Sequence, residues 1–467
     1  MTTKQQWQSG LLAITMSISG LAAARATVVT PAPFDDAARA WTLPELVDEA
    51  LRRNPRTTQA WQQANALAAQ LGVQRALDYP TISVGAEAGG SHVTQPAADG
   101  RHTSNQLFIG PTVQLQYLLL DFGARRAAQE QARFNLLSQD FNFNQTLQTV
   151  TLGVMNGYYN LDGAQVRLQN AETALALAEA VHQQTLIKAR AGLATSTDLA
   201  QARQQVEQCR YQLEGARGEV STARVALATS LGIPGNAPLQ IASPTNLPSL
   251  ELLSVQVDQL IDLAFRQRPE LAAKYNAWRA QLAAVDLAEA KRWPALNLNV
   301  GLQRDYYATD AAAPNGVDHR DNASAVLAFS FDLFDGGSQA YQVTSAKALA
   351  AAAKAELLAG QLGVIAEVVT NYVTFKTAAQ QVDAAQALLA ASQNSFDSAN
   401  LSYRHGLKNM IDVLAAQNNL ATARAALATA RTGLCNASAG LANATGSLLV
   451  DGAKVATAGP PPAGAEQ

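Results

Sequence analysis

Aromatic residues and cysteines are scarce in this chain of 467 residues. Aromatics account for 6% of the sequence although hydrophobic residues account for 48%, and much of that apolar content is alanine. Alanine suits close helix packing better than a core of large interlocking side chains, so ordinary globular domains are disfavoured and we expect long helices. The two cysteines, Cys209 and Cys435, lie in alanine-rich helical segments, and we expect free thiols rather than a disulfide.

Strong charge and catalytic motifs are also missing. The formal net charge is -3, which gives no field to attract nucleic acid, so we predict no nucleic-acid partner. There is no phosphate-binding glycine loop and no nucleophile elbow, so any energy that the protein uses must come from a partner. Metal-ligand spacing is absent from the five histidines, which are His92, His102, His182, His319 and His405. We therefore predict no enzyme activity, no catalytic residues, no metal site and no cofactor.

The first 26 residues have the features of an export signal. Lys4 precedes an apolar run at 11–24, and residues 24–26 have the small-x-small pattern of a cleavage site. The run is too short, and too often interrupted by hydroxyl residues, to form a membrane-spanning helix. We expect cleavage after Ala26 and export of the remaining chain.

The same landmarks occur twice, with a constant offset of 214 residues between them. This offset relates Pro80 to Pro294, Asn54-Pro55 to Arg268-Pro269, Asp121 to Asp335, Tyr158 to Tyr372, Gly192-Leu193 to Gly406-Leu407, and Asp198 to Asp412. The chain is therefore predicted to contain two tandem repeats of one unit. We place the signal peptide at 1–26, the first repeat with its linker at 27–252, the second repeat at 253–450, and a disordered tail at 451–467.

Each repeat is predicted to contain a very long helix. Leucine or valine recurs every seven residues from Leu147 to Leu175, and a row of mostly small residues lies three positions further on. This pattern is typical of a coiled-coil seam. No proline interrupts the chain between Gly123 and Lys188, so at about 1.5 Å per residue the helix could reach roughly 100 Å. A globular domain has no room for such a helix.

A pair of strands is predicted before each long helix. Apolar residues alternate with polar or small ones at 113–117, at 296–303 and at 327–333, and a weaker strand is predicted at 82–88. We expect strands of about ten residues, the length that crosses a bilayer when tilted, joined by polar loops at 91–106 and 308–322. A soluble antiparallel sheet with one wet face has the same pattern.

Four strands cannot close a barrel, and lipid does not tolerate an open sheet edge. Because closure needs at least eight strands, several chains would have to share one barrel. Three chains would supply twelve strands, and this reasoning alone leaves dimeric and tetrameric closure open.

In the order of its motifs, the mature chain resembles the TolC-like outer-membrane efflux family. The motifs are Asn54-Pro55 and Arg268-Pro269 after amphipathic helices, prolines before strands, turns at 120–123 and 334–337, and two Gly-Leu hairpins. The resemblance implies a mixed α and β membrane protein: a homotrimer whose strands form a 12-stranded outer-membrane β-barrel and whose antiparallel coiled-coil helices form a periplasmic α-barrel. It also implies an outer-membrane location in a Gram-negative cell, contact with outer-membrane lipid, and extension into the periplasm.

The function implied by the resemblance is a passive exit duct of a tripartite efflux or type I secretion system. The expected partners are a periplasmic adaptor, or membrane fusion, protein and an inner-membrane transporter. We expect adaptor docking at the hairpin tips, Gly192-Leu193 and Gly406-Leu407. Whether the cargo is a small molecule or a protein stays open.

The family's periplasmic mouth is closed by pore-lining aspartates and by a network between two hairpins. Asp412 matches the first ring aspartate, and Asp198 matches the first-hairpin aspartate whose partners correspond to Tyr403 and Lys408. Ala415 replaces the second ring aspartate, and Lys408 replaces the usual arginine. Since lysine cannot form a bidentate fork, we predict a thinner ring and a weaker latch.

Two plainer readings compete with these expectations. Asp198 and Asp412 could serve only to stabilise helix amino termini, and Tyr403 and Lys408 could be solvated surface residues. For the whole chain, the alternative is a trimeric surface stalk on a barrel anchor, as an adhesin would have. That alternative predicts a single strand-rich block at the carboxyl end, whereas this sequence has strand pairs in both repeats.

Overall fold

The computed structural model describes residues 39–97, 100–244, 248–309 and 318–448. The predicted signal peptide and the predicted disordered tail lie outside the described residues.

The helices form two sets that match in length and order. The first set is α1 (Leu43–Arg53), α2 (Pro55–Ala76), α3 (Ala124–Arg190) and α4 (Ser196–Leu231), and the second is α5 (Val257–Gln267), α6 (Pro269–Ala290), α7 (Ser338–Arg404) and α8 (Met410–Thr445). Every helix of the second set begins and ends 214 residues after its counterpart. The internal repeat is therefore confirmed, while the limits that we gave to the two repeats, 27–252 and 253–450, stay predictions.

The two longest helices have the predicted length. α3 and α7 contain 67 residues each, which corresponds to about 100 Å at 1.5 Å per residue. Their buried positions follow the heptad pattern: Val154, Leu161, Val368 and Phe375 are completely buried. Small residues accompany them, because alanine lets neighbouring helices approach closely. Cys209 and Cys435 are buried free thiols, as predicted.

A glycine ends each long hairpin and packs on the start of its own repeat. Gly232 closes α4 with φ +78°, and Gly446 closes α8 with φ +77°. A Cβ on Gly232 would lie 2.8 Å from Pro55 Cδ, and one on Gly446 would lie 3.0 Å from the Gln267 carbonyl carbon. Both the left-handed backbone and the close approach require glycine here.

The linker between the repeats is held against the first repeat. Its strand β4 (Gln240–Ile241) pairs in parallel with β1 (Ala40–Trp41) near the start of the described chain. The hydroxyl of Tyr158 on α3 donates to the carbonyl of Ala242, and a short 3-10 helix, Glu251–Ser254, precedes α5. The linker therefore follows the helices rather than separating two independent domains.

One antiparallel sheet joins the two repeats. Its strands are β2 (Thr81–Ala97), β3 (Gly100–Leu120), β5 (Ala295–Thr309) and β6 (Asp318–Ser330), in the order β2-β3-β5-β6. The central pair, β3 and β5, brings one strand from each repeat together. Within the described residues, β2 and β6 each pair on one side only, so both edges of the sheet are open.

The register places apolar side chains on one face of the sheet. Val84 pairs with Val113, Val113 with Leu302, and Leu302 with Ala323. This apolar face is exposed in a single chain: Val84 is 78% exposed and Leu302 53%. The opposite face carries mainly amides, hydroxyls and glycines, as the alternation predicted.

The strands are longer than predicted. They contain 17, 21, 15 and 13 residues rather than about ten, and the described residues of the loops predicted at 91–106 and 308–322 are strand. Residues 91–97, 100–106, 308–309 and 318–322 continue the ladders. Beyond a bilayer the alternation of apolar and polar side chains is not needed, but backbone pairing between antiparallel strands can continue through polar residues.

We predict that Gly232→Ala lowers the melting temperature, because alanine is strained at positive φ and its Cβ would overlap Pro55. The expected cost is about 1–3 kcal/mol, measured by thermal unfolding followed by circular dichroism at 222 nm. Gly72→Ala is the control, since no atom lies within 4 Å of its Cβ position in α2, and it should stabilise the helix by about 0.5–1 kcal/mol. Equal melting temperatures for the two variants would contradict this account.

Candidate functional site at the hairpin tips

Two hairpins with the same local geometry end the long helices. Residues 191–195 join α3 to α4, and residues 405–409 join α7 to α8. Gly192 and Gly406 both have φ +74°, the left-handed conformation that a turn after a helix requires. The next amide in each hairpin donates back to its helix: Leu193 N to Lys188 O at 2.8 Å and Leu407 N to Ser402 O at 2.9 Å.

The leucine that follows each glycine points away from the protein. Leu193 is 77% exposed and Leu407 is 79% exposed. An apolar side chain at the tip of a tight turn gains nothing from this exposure in a single chain. The two hairpin tips therefore offer one exposed leucine each to a partner.

The two predicted gate aspartates cap the helices that follow the turns. Asp198 accepts hydrogen bonds from Thr195 N at 2.9 Å and from Thr195 Oγ1 at 2.8 Å. Asp412 accepts a long bond from Asn409 N at 3.4 Å, and its side chain is exposed whereas Asp198 is half-buried. Helix capping explains why an aspartate stands at both positions, but the capping hydrogen bond to the Asp412 carboxylate is long and therefore weak.

Tyr403 is buried in the junction between the two hairpins, and its main contact there is Lys188. Lys188 Nζ donates to Tyr403 O at 2.8 Å and lies 3.8 Å from the centroid of its ring. Both a charge-assisted hydrogen bond and a cation–π contact therefore join α3 to α7. The reading of Tyr403 as a solvated surface residue is wrong, since it is 8% exposed.

Burial and two neighbouring side chains shift the pKa of the Tyr403 phenol. Burial raises the pKa of Tyr403, the negative charge of Asp198 raises it further, and the Thr185 hydroxyl partly offsets both effects. The phenol is therefore neutral at physiological pH. Thr185 donates its proton to Val181 O at 2.8 Å, and the phenol oxygen has no hydrogen-bond partner of normal geometry among the described residues.

The structure does not join Lys408 to the other predicted latch residues. Its side chain is exposed, and in the described part of a single chain it makes no hydrogen bond or ion pair with Asp198 or Tyr403. The basic residue that contacts Tyr403 is Lys188 instead, and no sequence pattern distinguished it. It lies in the last turn of α3 beside Arg190, where a basic residue ordinarily stabilises the helix carboxyl terminus.

An apolar cluster surrounds this contact. It consists of Val181, Phe396, Ala399, Tyr403, Met410, Val413, Ala416 and Leu420. Gln417 lies on the same buried face of α8 with 2% exposure, and its side-chain oxygen and nitrogen have no partner among the described residues. An unpaired buried polar group costs about 1–3 kcal/mol of folding free energy. The unpaired side chain of Gln417 therefore offsets part of the stability that apolar packing gives to the tip.

Across the described ranges, no cluster of three or more histidine, cysteine, aspartate or glutamate side chains is arranged to hold a metal ion.

We predict that Lys188→Met loosens the junction between the hairpins, because it removes the bond to Tyr403 O and the contact with its ring. The loss of about 1–2 kcal/mol should speed amide hydrogen exchange around 396–404 roughly tenfold.

The matched control is Arg190→Met, which removes a positive charge from the same helical turn. Lys408→Met tests the residue that the sequence favoured. If either variant accelerates exchange as much as Lys188→Met does, the Lys188 contact is not the connection that holds the hairpins together.

Comparison with known proteins identifies a family over most of the chain. The family model described as outer membrane efflux protein matches residues 46–233 and again residues 260–447. These two matches share the 214-residue offset of the internal repeat.

Individual relatives are distant but cover most of their own length. Protein CyaE of Bordetella pertussis is 25% identical over 424 residues, which are 88% of each chain. A probable efflux pump outer membrane protein, TtgC of Pseudomonas putida, is 24% identical and covers 82% of this chain and 78% of its own. Among solved structures, the outer membrane protein VceC of Vibrio cholerae has a TM-score of 0.76 at 19% identity, covering 86% of this chain and 96% of its own.

Proposed function

Since the chain belongs to the outer membrane efflux protein family, it is an exit duct of the Gram-negative outer membrane, and we propose that three copies of it form that duct. The observation that carries this proposal is the four-stranded sheet with two open edges and an exposed apolar face. Such a sheet is stable in lipid only when further strands close it into a barrel.

The number of copies follows from the width of the barrel. Two copies would give eight strands, and an eight-stranded barrel has an interior filled by its own side chains. Three copies give twelve strands and leave a lumen. The resemblance of the motifs to a family of trimers favours three copies over four.

One face of the sheet is suited to contact with lipid, and the opposite face is suited to contact with water. The exposed apolar side chains, such as Val84, Leu302 and Phe329, would contact outer-membrane lipid. The opposite face carries Gln114, which pairs with Gly301 across the central strands, and similar polar or small residues would line a water-filled pore.

The helices would continue the duct into the periplasm. α3 and α7 extend for about 100 Å, which places the hairpin tips far from the sheet. We propose that Leu193 and Leu407, which are exposed at these tips, contact a periplasmic adaptor protein that connects the duct to an inner-membrane transporter. The duct itself would be passive, since the sequence has no motif for binding a nucleotide phosphate. Relatives named as efflux pump components support this assignment.

The same tips would close the duct at rest. Asp412 is exposed and only weakly held by its cap, so three copies of its carboxylate could converge on the axis. Ala415, one turn further along α8, adds no second ring. Asp198, Tyr403 and Lys408 form the proposed latch, and the contacts of Lys188 with Tyr403 add a link that holds the two hairpins of each chain together.

We predict that Asp412→Asn reduces cation selectivity, because the amide keeps the shape of the cap but removes one negative charge per chain from the ring. The measurement is the reversal potential of purified protein in planar bilayers under a salt gradient, which should move towards zero. Asp258→Asn is the control, since Asp258 also lies in the first turn of a helix, α5, in the second repeat. Unchanged conductance and selectivity in Asp412→Asn would show that Asp412 is not part of the gate.

We predict that protease added to intact cells leaves α3, α4, α7 and α8 uncut, because a periplasmic helical barrel lies behind the outer membrane. The same protease should cut at the hairpin tips, near Leu193 and Leu407, once the outer membrane is permeabilised. Cleavage of these helices in intact cells would instead support the surface stalk.

A further inference from the structure

Two helices of the second repeat, α6 and α8, pack against α3 of the first repeat within one chain, and the contact between α3 and α8 joins two of the long hairpin helices. α3 is the first long helix of the first repeat, and α8 is the second long helix of the second repeat. In a closed head-to-tail ring of identical chains, the remaining junctions bring α7 of one chain against α4 of the next. If the proposed trimer exists, the contact between α3 and α8 therefore recurs there, with the residue numbers shifted by 214.

A glycine and a threonine meet where α3 crosses α8. A Cβ on Gly163 would overlap Thr432 Oγ1 and would lie 3.2 Å from Thr432 Cβ. Gly163 is buried, and Thr432 donates a hydrogen bond to Ala428 O at 3.0 Å within its own helix. The threonine thus fills a space that only a glycine on the other helix leaves open.

The shift by 214 exchanges these two residue types. Gly163 corresponds to Thr377 on α7, and Thr432 corresponds to Gly218 on α4. Thr377 is exposed in a single chain. No heavy atom lies within 4 Å of the position that a Cβ on Gly218 would take. Within the described residues of one chain, a projecting side chain and an open space are therefore both present, and they do not meet each other.

Exposed leucines lie on α7 before and after Thr377. Leu362 is 69% exposed and Leu388 is 48% exposed, whereas their counterparts on α3, Gln148 and Ala174, are 8% exposed each. Gln148 reaches α8 by a bond from Nε2 to Gly446 O at 3.3 Å. An 18-residue stretch of α7 is even apolar enough to cross a membrane by composition, although α7 packs along α8.

We propose that Thr377 of one copy packs over Gly218 of the neighbouring copy, and that this pair fixes the register and the direction of self-assembly. The partner is a second copy of this chain, because the shifted contact supplies complementary residues on both sides. Beside this contact, Asn436 Nδ2 donates to Asn160 Oδ1 at 2.9 Å within the chain. The shifted positions are Thr222 and Thr374, both exposed, and their hydroxyls donate to carbonyls of their own helices.

The exchange of glycine and threonine also disfavours wrong assemblies. Two first repeats packed together would place Gly163 opposite Gly218 and leave a void. Two second repeats packed together would place Thr377 opposite Thr432 and would overlap. Only the alternating, head-to-tail arrangement puts a threonine against a glycine at every junction, so mispairing is penalised on both sides.

The test exchanges the two residues. Gly218→Thr should weaken assembly at each of the three junctions by about tenfold or more, since two threonines then compete for one space. Thr377→Gly should weaken it less, because it leaves a void. The double variant Gly218→Thr/Thr377→Gly should restore the trimer, since it reproduces the arrangement of Gly163 and Thr432 with the same two residue types. Trimer fractions are measured by blue native electrophoresis over a dilution series in detergent.

Gly215→Thr is the matched control. Gly215 lies on the same helix and also has no atom within 4 Å of its Cβ position. Its counterpart in the second repeat is already a threonine, Thr429, which stays exposed although α8 packs against α3. A threonine at 215 should therefore point away from the junction, and this control should trimerise like the wild type. Circular dichroism shows whether each variant keeps its helices.

The proposed duct and the proposed pairing of Thr377 with Gly218 are contradicted by different results. A wild-type chain that never trimerises would overturn the proposed duct and this pairing together. A wild-type trimer that Gly218→Thr leaves intact, or a double variant no better than Gly218→Thr alone, would overturn the pairing and leave the duct standing.

Discussion

In the hydrocarbon region of a membrane, a backbone amide or carbonyl group at the edge of a sheet has no water to bond, and each unpaired group costs several kcal/mol. The sheet of this chain has four strands and, within the described residues, open edges at β2 and β6. The rest of the architecture depends on satisfying those edges. Other copies of the chain must complete the barrel, and the helices that leave the sheet must then form a second ring below it.

The internal repeat makes this closure possible with one kind of contact. Because the two repeats have identical helix bounds after a shift of 214 residues, one contact geometry can serve both within the chain and between chains. The residues at the corresponding positions differ, as Gly163 and Thr377 show, so the proposed ring would repeat its backbone contact while its side-chain packing alternates. At the hairpin tips, the stability gained from apolar packing is offset in part by an unpaired polar group. The cluster around Val181 and Tyr403 lies beside the side chain of Gln417, which has no hydrogen-bond partner among the described residues. The proposed gate at these tips would require a junction that is only moderately stable.

Patterns that repeat along the chain were sufficient to predict most of the fold. The heptad rows predicted α3 and α7, alternation predicted the faces of the sheet, and the paired glycines predicted the hairpins, since each signal reflects local geometry. Strand length was missed because the alternation ends with the bilayer while the backbone ladder continues. Lys188 was missed because its contact with Tyr403 joins residues 215 positions apart, and nothing in its own neighbourhood distinguishes it from a lysine at the end of any helix. The capping role of Asp198 is local and was open to sequence reasoning as the plainer alternative to the latch, whereas a role of Asp412 at the axis depends on other copies of the chain.

Disulfide trapping between the two edge strands tests the closed barrel most directly. The pair Gln114 and Gly301 of β3 and β5 becomes Ala328 and Glu87 after the shift by 214. One cysteine therefore replaces Glu87 on β2, and a second is moved along β6 from Asn322 to Ser330 in a chain whose buried Cys209 and Cys435 are replaced by alanine. Oxidation in isolated outer membranes should give a covalent ladder that stops at three chains, because β2 of each chain lies beside β6 of the next. A chain that never cross-links at any of these positions, or a ladder that ends at two chains or continues past three, would contradict the account.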